Sequence, residues 1–418
     1  MADEVTKDID HRRLGQELDL FVFSDLVGAG LPLWTPRGTI LRNELDCFVQ
    51  EMRDEHGYKP VTIPHITKND LYKKSGHWTK FSDDLFRIIT REKHEFAMKP
   101  MNCPHHSQIY ASRPRSYREL PIRYRETTTN YRDEQTGELN GILRARAFTQ
   151  DDAHVFCREQ HIVDEVLKIW DIVERFYGAF GFDLSLRFST RDPKTPEAYA
   201  GDVKMWARAE AELQKAIDKK GQKATRGLGD AAFYGPKLDF IAQDSLGREW
   251  QVATIQLDFA QPEGLELTYV NEEGKDERPV MIHCAIMGSI ERFLAVYIEH
   301  TTGHFPVWLA PEQIRVATLN DDKEVVKLAQ DVADKAKKLG LRAELDDSNE
   351  SVGKKIRGAE AMKVPYAVVI GGKEVKEGKL LPRVRTDLGD EPTQPLAIDD
   401  FLDKVAAEAA ARAAKSSL

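Results

Sequence analysis

One thiol and two imidazoles lying far apart in the chain, Cys103, His154 and His283, constrain this sequence more than any other feature. Each sits in a dense polar segment: Lys99-Pro-Met-Asn-Cys-Pro104, Phe148-Thr-Gln-Asp-Asp-Ala-His154 and Met281-Ile-His-Cys-Ala-Ile-Met-Gly-Ser-Ile-Glu-Arg292. One thiolate with two imidazoles suits zinc, and three protein donors leave a fourth position open to substrate. A structural zinc would show close CxxC or HxxxH pairs and four donors. Donors this distant can meet only if a folded domain carries them together, so the trio points to a site built on tertiary structure.

The chain is long enough for such a domain and at least one more, at 418 residues. Its 41% hydrophobic and 31% charged content is that of a globular protein. A net charge of −9 argues against a globally basic nucleic-acid binder, although a local basic face is enough for RNA. Four cysteines argue against a disulfide scaffold and fit a reducing compartment. The start, MADEVTKDIDHRR, lacks the apolar core of a signal peptide, and no run of about 18 apolar residues marks a membrane span. A cytoplasmic location is expected.

Periodicity divides the chain. Residues 1–20 are charged and lead into a first helix. Ile40, Leu41, Leu45, Phe48, Val49 and Met52 predict a helix over 40–56, stopped by Gly57, and Val61–Pro64 reads as a strand. A stronger helix is expected over 158–180, with Ile162, Val166, Ile169, Val173 and Phe176 on one face. Leu238–Ala242, Trp250–Leu257 and Leu265–Val270 read as strands, and 282–300 as helical. Pro306 and Pro311 bracket Val307-Trp-Leu-Ala310, a plausible linker. Beyond it, strands at Ile314–Leu319, Leu341–Leu345 and Tyr366–Ile370 alternate with helices at Lys323–Leu339 and about Ile398–Ala414. That alternation suggests a small, separate α/β domain. The last Ala/Lys/Ser-rich residues are expected to fray.

Tyr124–Glu134 and Leu143–Gln150, joined by a Gly-containing loop, read as a hairpin that would bring Arg132, Glu134, Arg144 and Phe148 to one surface. Arginine recognises phosphate oxygens in a planar, bidentate way, and Phe148 offers a face for a base. The same residues also read as a charged sheet surface with ordinary ion pairs. No GxxxxGK[ST] loop is present, and Gly28-Ala-Gly30 lacks the third glycine of a dinucleotide fingerprint. Any use of ATP must do without the common glycine loop.

Taken together, Ser75-Gly-His-Trp78, KPMNCP, the Arg132/Glu134 loop, FTQDDAH, Ala232-Phe-Tyr-Gly-Pro-Lys237, Trp250-Gln-Val-Ala-Thr-Ile-Gln-Leu-Asp-Phe259 and the segment ending Gly288-Ser-Ile-Glu-Arg292 resemble the threonyl-tRNA synthetases, of the class II aminoacyl-tRNA synthetases. The match runs in the family's order from about His11 to the last helix, and no HIGH or KMSKS sequence of class I occurs.

The resemblance implies an α+β fold. A class II antiparallel sheet flanked by helices forms a catalytic domain over 1–306, and an α/β anticodon-binding domain follows over 307–418. The helix near 40–56 and the strand after it would build a homodimer interface. The implied activity is that of an ATP-dependent threonine–tRNA ligase, with tRNA, ATP and threonine as partners and no membrane partner.

Roles follow by position. Cys103, His154 and His283 would hold one zinc per chain, which binds the threonine amino and hydroxyl groups. A site built around a substrate hydroxyl rejects the analogue lacking it by roughly 10⁴–10⁵. Asp152 would accept from the substrate ammonium, whereas its neighbour Asp151 reads as a helix cap or surface carboxylate. Met101, Gln150, Tyr234, Lys237, Gln251 and Thr254 would line the threonine and adenylate pocket, with Lys237 also in a catalytic role. Arg132 would clamp the ATP α-phosphate, Arg144 and Arg292 the outer phosphates, Phe148 and Glu134 the adenine; Gln256 joins the ATP set and Mg²⁺ bridges the phosphates. His77 is the candidate proton acceptor for the terminal ribose hydroxyl of tRNA. His105 and His106 match no family role and read as structural or solvent-facing. In the C-terminal domain, Glu374 and Arg383 would read anticodon bases and the lysines, Lys355 among them, would meet phosphates, with Arg357 on the same anticodon-loop surface; Arg385 can exchange with Arg383.

Two departures touch the pocket: Cys284 stands where the family usually has arginine, and Val252-Ala253 where Cys-Gly is common. Adjacent strand residues face opposite ways, so Cys284 is not counted as a donor. Full-length relatives often carry N-terminal domains, including one that hydrolyses seryl-tRNA, and this sequence is expected to act without them, since it begins almost at the catalytic core. Serine lacks only one methyl, worth about 1–3 kcal/mol, so detectable serine misacylation is expected. The main alternative is a catalytically silent tRNA-binding or regulatory paralogue. A synthetase for serine or proline is disfavoured by the trio and Asp152.

Overall fold

The structure, a computed structural model, describes residues 9–418. The first helix is His11–Glu17, and the charged residues 1–8 lie outside the described part. The chain forms two compact units. One comprises the described residues up to Val22, Leu33–Leu45 and Tyr297–Leu418; the other comprises Phe23–Pro32 and Asp46–Val296.

The larger unit is organised by an eight-stranded sheet. Its strands are β1 (Lys59–Pro60), β2 (Ile122–Tyr131), β3 (Ala147–Cys157), β4 (Leu184–Thr190), β5 (Ala224–Leu228), β6 (Lys237–Gln243), β7 (Glu249–Asp258) and β8 (Val280–Ser289). The spatial order is β5-β4-β6-β7-β8-β3-β2-β1. The pairings are antiparallel except at the two edges, where β5 pairs with β4 and β1 with β2 in parallel. The expected α+β fold is therefore present.

Helices α2 (Cys103–Ala111), α3 (Ile162–Ala179) and α4 (Val203–Lys220) belong to it, as do the part of α1 (Pro36–Glu55) from Asp46 on and the part of α5 (Ile290–Thr301) up to Val296. Pro36 presets the first helical φ of α1, and Thr35 Oγ1 accepts the Gly38 N–H at 3.2 Å. The apolar stripe Leu41, Leu45, Phe48, Val49 and Met52 is buried, as its spacing predicts. In α3, Ile162, Val166, Ile169, Val173 and Phe176 are likewise buried.

Three expectations for this unit need correction. The strand predicted at Val61–Pro64 is displaced to Lys59–Pro60. Pro64 has no N–H to give a ladder, and only the Val61 N–H still reaches Arg125 O, at 3.1 Å. Leu265–Val270 is strand only at Tyr269–Val270. Residues 282–300 are half strand and half helix, with the change at Ile290. Strand β8 lies between β7 and β3 and is buried from Val280 to Met287. A strand covered on both faces shows a continuous apolar run, which periodicity cannot tell from a buried helix.

In the other unit, β9 (Ile314–Thr318), β10 (Ala343–Asp346), β11 (Tyr366–Ile370) and β12 (Arg383–Val384) form a sheet in the order β10-β9-β11-β12, the last strand antiparallel. Helices α6 (Lys323–Lys338), α7 (Val352–Ala361) and α8 (Ile398–Ala410) belong to it. Its core joins Val316, Ala329, Val332, Val368 and Phe401. Val307–Ala310, expected as a linker, is fully packed instead: its apolar side chains are buried, and Gln313 Nε2 donates to Val307 O at 2.8 Å. The tail, expected to fray, is tied back by hydrogen bonds. Tyr366 donates to Ser416 Oγ at 2.7 Å, and the Ser417 N–H and hydroxyl both donate to Glu408 Oε1 at 2.6 Å. Among the described residues, no helix is long and apolar enough to cross a membrane.

Candidate active site

Strand alternation builds the site. On β3 the side chains of Phe148, Gln150, Asp152 and His154 share one face, while Asp151 and Ala153 take the other. In the β3–β8 register His154 lies opposite His283. Cys103 opens α2 close by.

The Cys103, His154 and His283 donor atoms all lie within 4.8 Å of one another, and all three residues are buried. His154 Nε2 and His283 Nδ1 are 3.1 Å apart. The outward nitrogens are each held: His154 Nδ1 lies 2.8 Å from His106 Nδ1, and His283 Nε2 lies 2.9 Å from Asp258 Oδ2. Such ties fix ring orientation and aim the inner nitrogens at one point. Burial pushes the Cys103 thiol well up and the His154 imidazole well down, which favours the neutral form of each. Neutral imidazoles are ready ligands, and a divalent cation stabilises a thiolate against burial. The donor set therefore fits a zinc ion. His105 and His106 are both buried, so the solvent-facing alternative does not hold, and His106 has the definite task of holding His154. The Cys284 Sγ points away from His283, towards Ala153 O at 3.6 Å.

Asp152 is 6% exposed, and Asn102 Nδ2 donates to its Oδ2 at 2.9 Å. Burial raises its carboxyl above the ordinary range. Asp151 is not the surface carboxylate or cap that was expected. It is fully buried, paired with Arg53 at 3.1 Å, and accepts the N–H groups of Ile286 and Met287.

A cavity of about 710 Å³ opens beside the trio, which contributes to its wall. Met101, Gln150, Asp152 and Tyr234 line it, as do Gln251, Thr254 and Gln256. Arg132, Glu134, Arg144, Phe148 and Arg292 line it too. Tyr234 stacks on His283 with centroids 4.7 Å apart and donates its hydroxyl to Gln256. The Arg132 guanidinium lies between two rings, 5.1 Å from the Phe148 centroid and 5.8 Å from that of Phe81. Arg144 is engaged by Glu134 at 2.7 Å and Glu138 at 2.9 Å, and Arg292 lies 5.9 Å from the Trp250 ring.

Two expected residues stand outside this lining. Lys237 pairs with Asp239 at 3.0 Å. His77 is fully buried, with Nδ1 2.9 Å from Ser75 Oγ and Nε2 3.7 Å from Cys103 Sγ. Burial holds its imidazole down at about 3.

Sequence reasoning missed the residues behind the cavity wall. Asp239 accepts from Gln251 at 2.8 Å, Thr254 at 3.0 Å and Ser189 at 2.6 Å. Asp258, Asn102, Lys99 and Arg53 are likewise fully buried. Lys99 and Asn102 were visible in KPMNCP without a role; nothing local marked Asp239, because a buried acid on a strand looks like any other.

In the C-terminal part of the chain, beyond residue 306, Arg357 and Arg383 are exposed and Glu374 is half-buried, accepting the Gly371 N–H at 2.9 Å. Lys355 is not on the surface: it is 4% exposed, with Nζ donating to Thr318 O and Oγ1, both at 3.0 Å. Arg385 is also committed, to Asp387 and to the Phe305 and Lys363 carbonyls. It is therefore no equivalent of Arg383.

Comparison with known proteins gives the ancestry. Residues 86–301 match the tRNA synthetase class II core domain (G, H, P, S and T), and residues 313–408 match an anticodon-binding domain. The threonine–tRNA ligase of Chloroherpeton thalassium is 47% identical over 399 residues, 94% of this chain and 60% of that protein. That of Gloeobacter violaceus is 47% identical over 407 residues, 96% of this chain and 64% of that one. The chain thus spans about three-fifths of the length of these relatives. A crystal structure of the RNA binding domain of threonyl-tRNA synthetase from Cryptosporidium parvum aligns with a TM-score of 0.90 and 37% identity, over 98% of this chain and 99% of that one. The chain belongs to the class II aminoacyl-tRNA synthetases, in the threonyl-tRNA synthetase family.

Proposed function

We propose that the chain activates threonine with ATP and transfers the threonyl group to its tRNA. The observation that carries this reading is the meeting of the donor trio, Asp152 and the two arginines Arg132 and Arg292 around one cavity.

Cys103, His154 and His283 would hold zinc, which when bound supplies a Lewis-acidic centre for the amino and hydroxyl groups of threonine. Asp152 accepts from the substrate ammonium. Tyr234, Gln251 and Thr254, braced by Gln256 and Asp239, shape the pocket and limit its size. A threonine carboxylate oxygen attacks the α-phosphorus, the bond to the bridging oxygen breaks, and pyrophosphate leaves. Arg132, preorganised between Phe81 and Phe148, faces the charge that develops on the phosphoryl oxygens. Arg292 takes the outer phosphates, with Mg²⁺ accompanying ATP. The Phe148 ring stacks on adenine. Arg144 and Glu134 serve ATP only once their mutual ion pair opens.

In the second step a terminal ribose hydroxyl of tRNA attacks the acyl carbon and AMP leaves. His77 can take that proton only if its burial is relieved, since a buried imidazole near 3 is a weak acceptor. Residues 1–306 form the catalytic domain and 307–418 the anticodon-binding domain, with Arg357, Glu374 and Arg383 at the RNA. The chain works as a cytoplasmic homodimer. The test is charging of a tRNA pool with labelled threonine. ATP-dependent, acid-precipitable threonine is expected; tRNA binding without charging by zinc-loaded protein would replace this reading with that of a silent paralogue.

A further inference from the structure

Behind Asp152 stands a second cation that none of the foregoing steps uses. Lys99 follows the strand Glu95–Met98 and is anchored at both ends of its peptide unit. Its N–H donates to His65 O at 2.9 Å, and its carbonyl accepts from the Tyr131 N–H at 2.9 Å. Its side chain is fully buried. The ammonium donates to Asn102 Oδ1 at 2.9 Å and Thr128 Oγ1 at 2.8 Å, both neutral acceptors. No carboxylate touches it among the described residues. A buried ammonium without a contacting anion is costly, so a positional reason for it is to be sought.

Asn102 supplies the reason. It is fully buried and touches both Lys99 and Asp152, its Nδ2 donating to Asp152 Oδ2 at 2.9 Å. An amide can present either its oxygen or its nitrogen in a given direction, and the two shapes are nearly identical. An ammonium has donors only, so it admits the amide oxygen and nothing else. Lys99 thereby removes the flip ambiguity and leaves the NH₂ group of Asn102 turned to Asp152. A carbonyl polarised by a cation also makes the N–H of the same amide a stronger donor. One Asp152 oxygen is pinned in this way, and the carboxylate lines the cavity.

We propose that Lys99 is a positioning residue of the amino-acid subsite: its ammonium fixes the Asn102 amide, and Asn102 presents Asp152 to the substrate ammonium. This rests on the reading of the cavity as an amino-acid activation site. Lys99 acts through Asn102 and touches no substrate.

Two variants separate positioning from folding. Lys99→Met removes the cation that orients the amide. Asn102→Asp keeps an acceptor for Lys99, and adds an ion pair to it, but sets an anion against Asp152. A purely structural role would lower the melting temperature of both variants and move KM for threonine and KM for ATP together. ATP–pyrophosphate exchange is measured for wild type and both variants, with KM for threonine and for ATP determined separately and zinc content checked in each. The expected result is a tenfold or greater rise in KM for threonine in both, with KM for ATP within about twofold and one zinc retained. Unchanged KM for threonine in the variants, or an equal rise for both substrates, overturns the proposal. No threonine-dependent exchange in zinc-loaded wild type overturns the activation reading itself, and this inference with it.

Discussion

Replacing Arg53 with leucine tests how the sheet holds the cavity's floor. The guanidinium is fully buried and reaches three strand carbonyls: Asp151 O at 2.6 Å, Asp152 O at 3.3 Å and Cys284 O at 3.4 Å. It also pairs with Asp151 Oδ2 at 3.1 Å. Asp151 in turn accepts the Ile286 N–H at 2.8 Å and the Met287 N–H at 3.0 Å, where the β3–β8 register is interrupted before Ser289. Leucine is apolar and smaller than arginine, so the change leaves a buried carboxylate with two donors and no counter-charge. Breaking a buried pair in this manner costs about 3–5 kcal/mol.

The cost should depend on pH. Burial already pushes the Asp151 carboxyl up to about 7, against the pull of Arg53 and the two N–H groups. The folded value lies above the unfolded one, so the folded state holds the proton more tightly. This group's contribution to stability therefore falls as pH rises from about 4 to 7. Removing Arg53 raises the folded value further, so the variant should regain stability as pH falls from 8 to 5, more than wild type does. Urea denaturation at several pH values reads the total, and hydrogen exchange of the Ile286 and Met287 amides reads the site itself. Arg53→Leu with Asp151→Asn should cost less than Arg53→Leu alone at pH 8. A loss below about 1 kcal/mol, or one that is the same at pH 5 and 8, would refute the reasoning.

Other outcomes follow from the same geometry. Lys355→Ala should lower the stability of the C-terminal unit, because its Nζ bonds Thr318 inside that unit; thermal melting checks this. Arg357→Glu and Arg383→Glu should instead weaken tRNA binding, and reduce the slope of log affinity against log salt, without lowering the melting temperature. His106→Leu should weaken zinc affinity by about 10–100-fold through the loss of its tie to His154, read by competition with a chelator. Serine should be activated about 10–200-fold less efficiently than threonine, since only one methyl separates them; parallel exchange assays give the ratio.

Much of the fold was legible because its signals are local. The stripe of α1, the stripe of α3 and the β2–β3 hairpin each declare a period within one window of sequence. The C-terminal strand–helix alternation does the same. What was not legible depends on what lies across from a residue. Nothing in Val280–Ser289 says that two strands flank it, so its apolar run read as helix. Val307–Ala310 lies between prolines but is apolar, and packing decided the matter. Asp151 and Asp152 are neighbours of one type; strand alternation sends one to Arg53 and the other to the cavity. The site's outer residues were readable from motifs, whereas Asp239, Asp258, Lys99 and Asn102 earn their places through contacts made only in three dimensions.

Threonine-dependent ATP–pyrophosphate exchange, with serine and valine in parallel and with zinc removed and restored, tests the account most directly. Strong exchange with threonine, weaker with serine and near none with valine is predicted, lost on chelation and regained with zinc. Exchange that persists at full rate without zinc, or that valine supports as well as threonine, would contradict the claim that Cys103, His154 and His283 form the selective heart of the site.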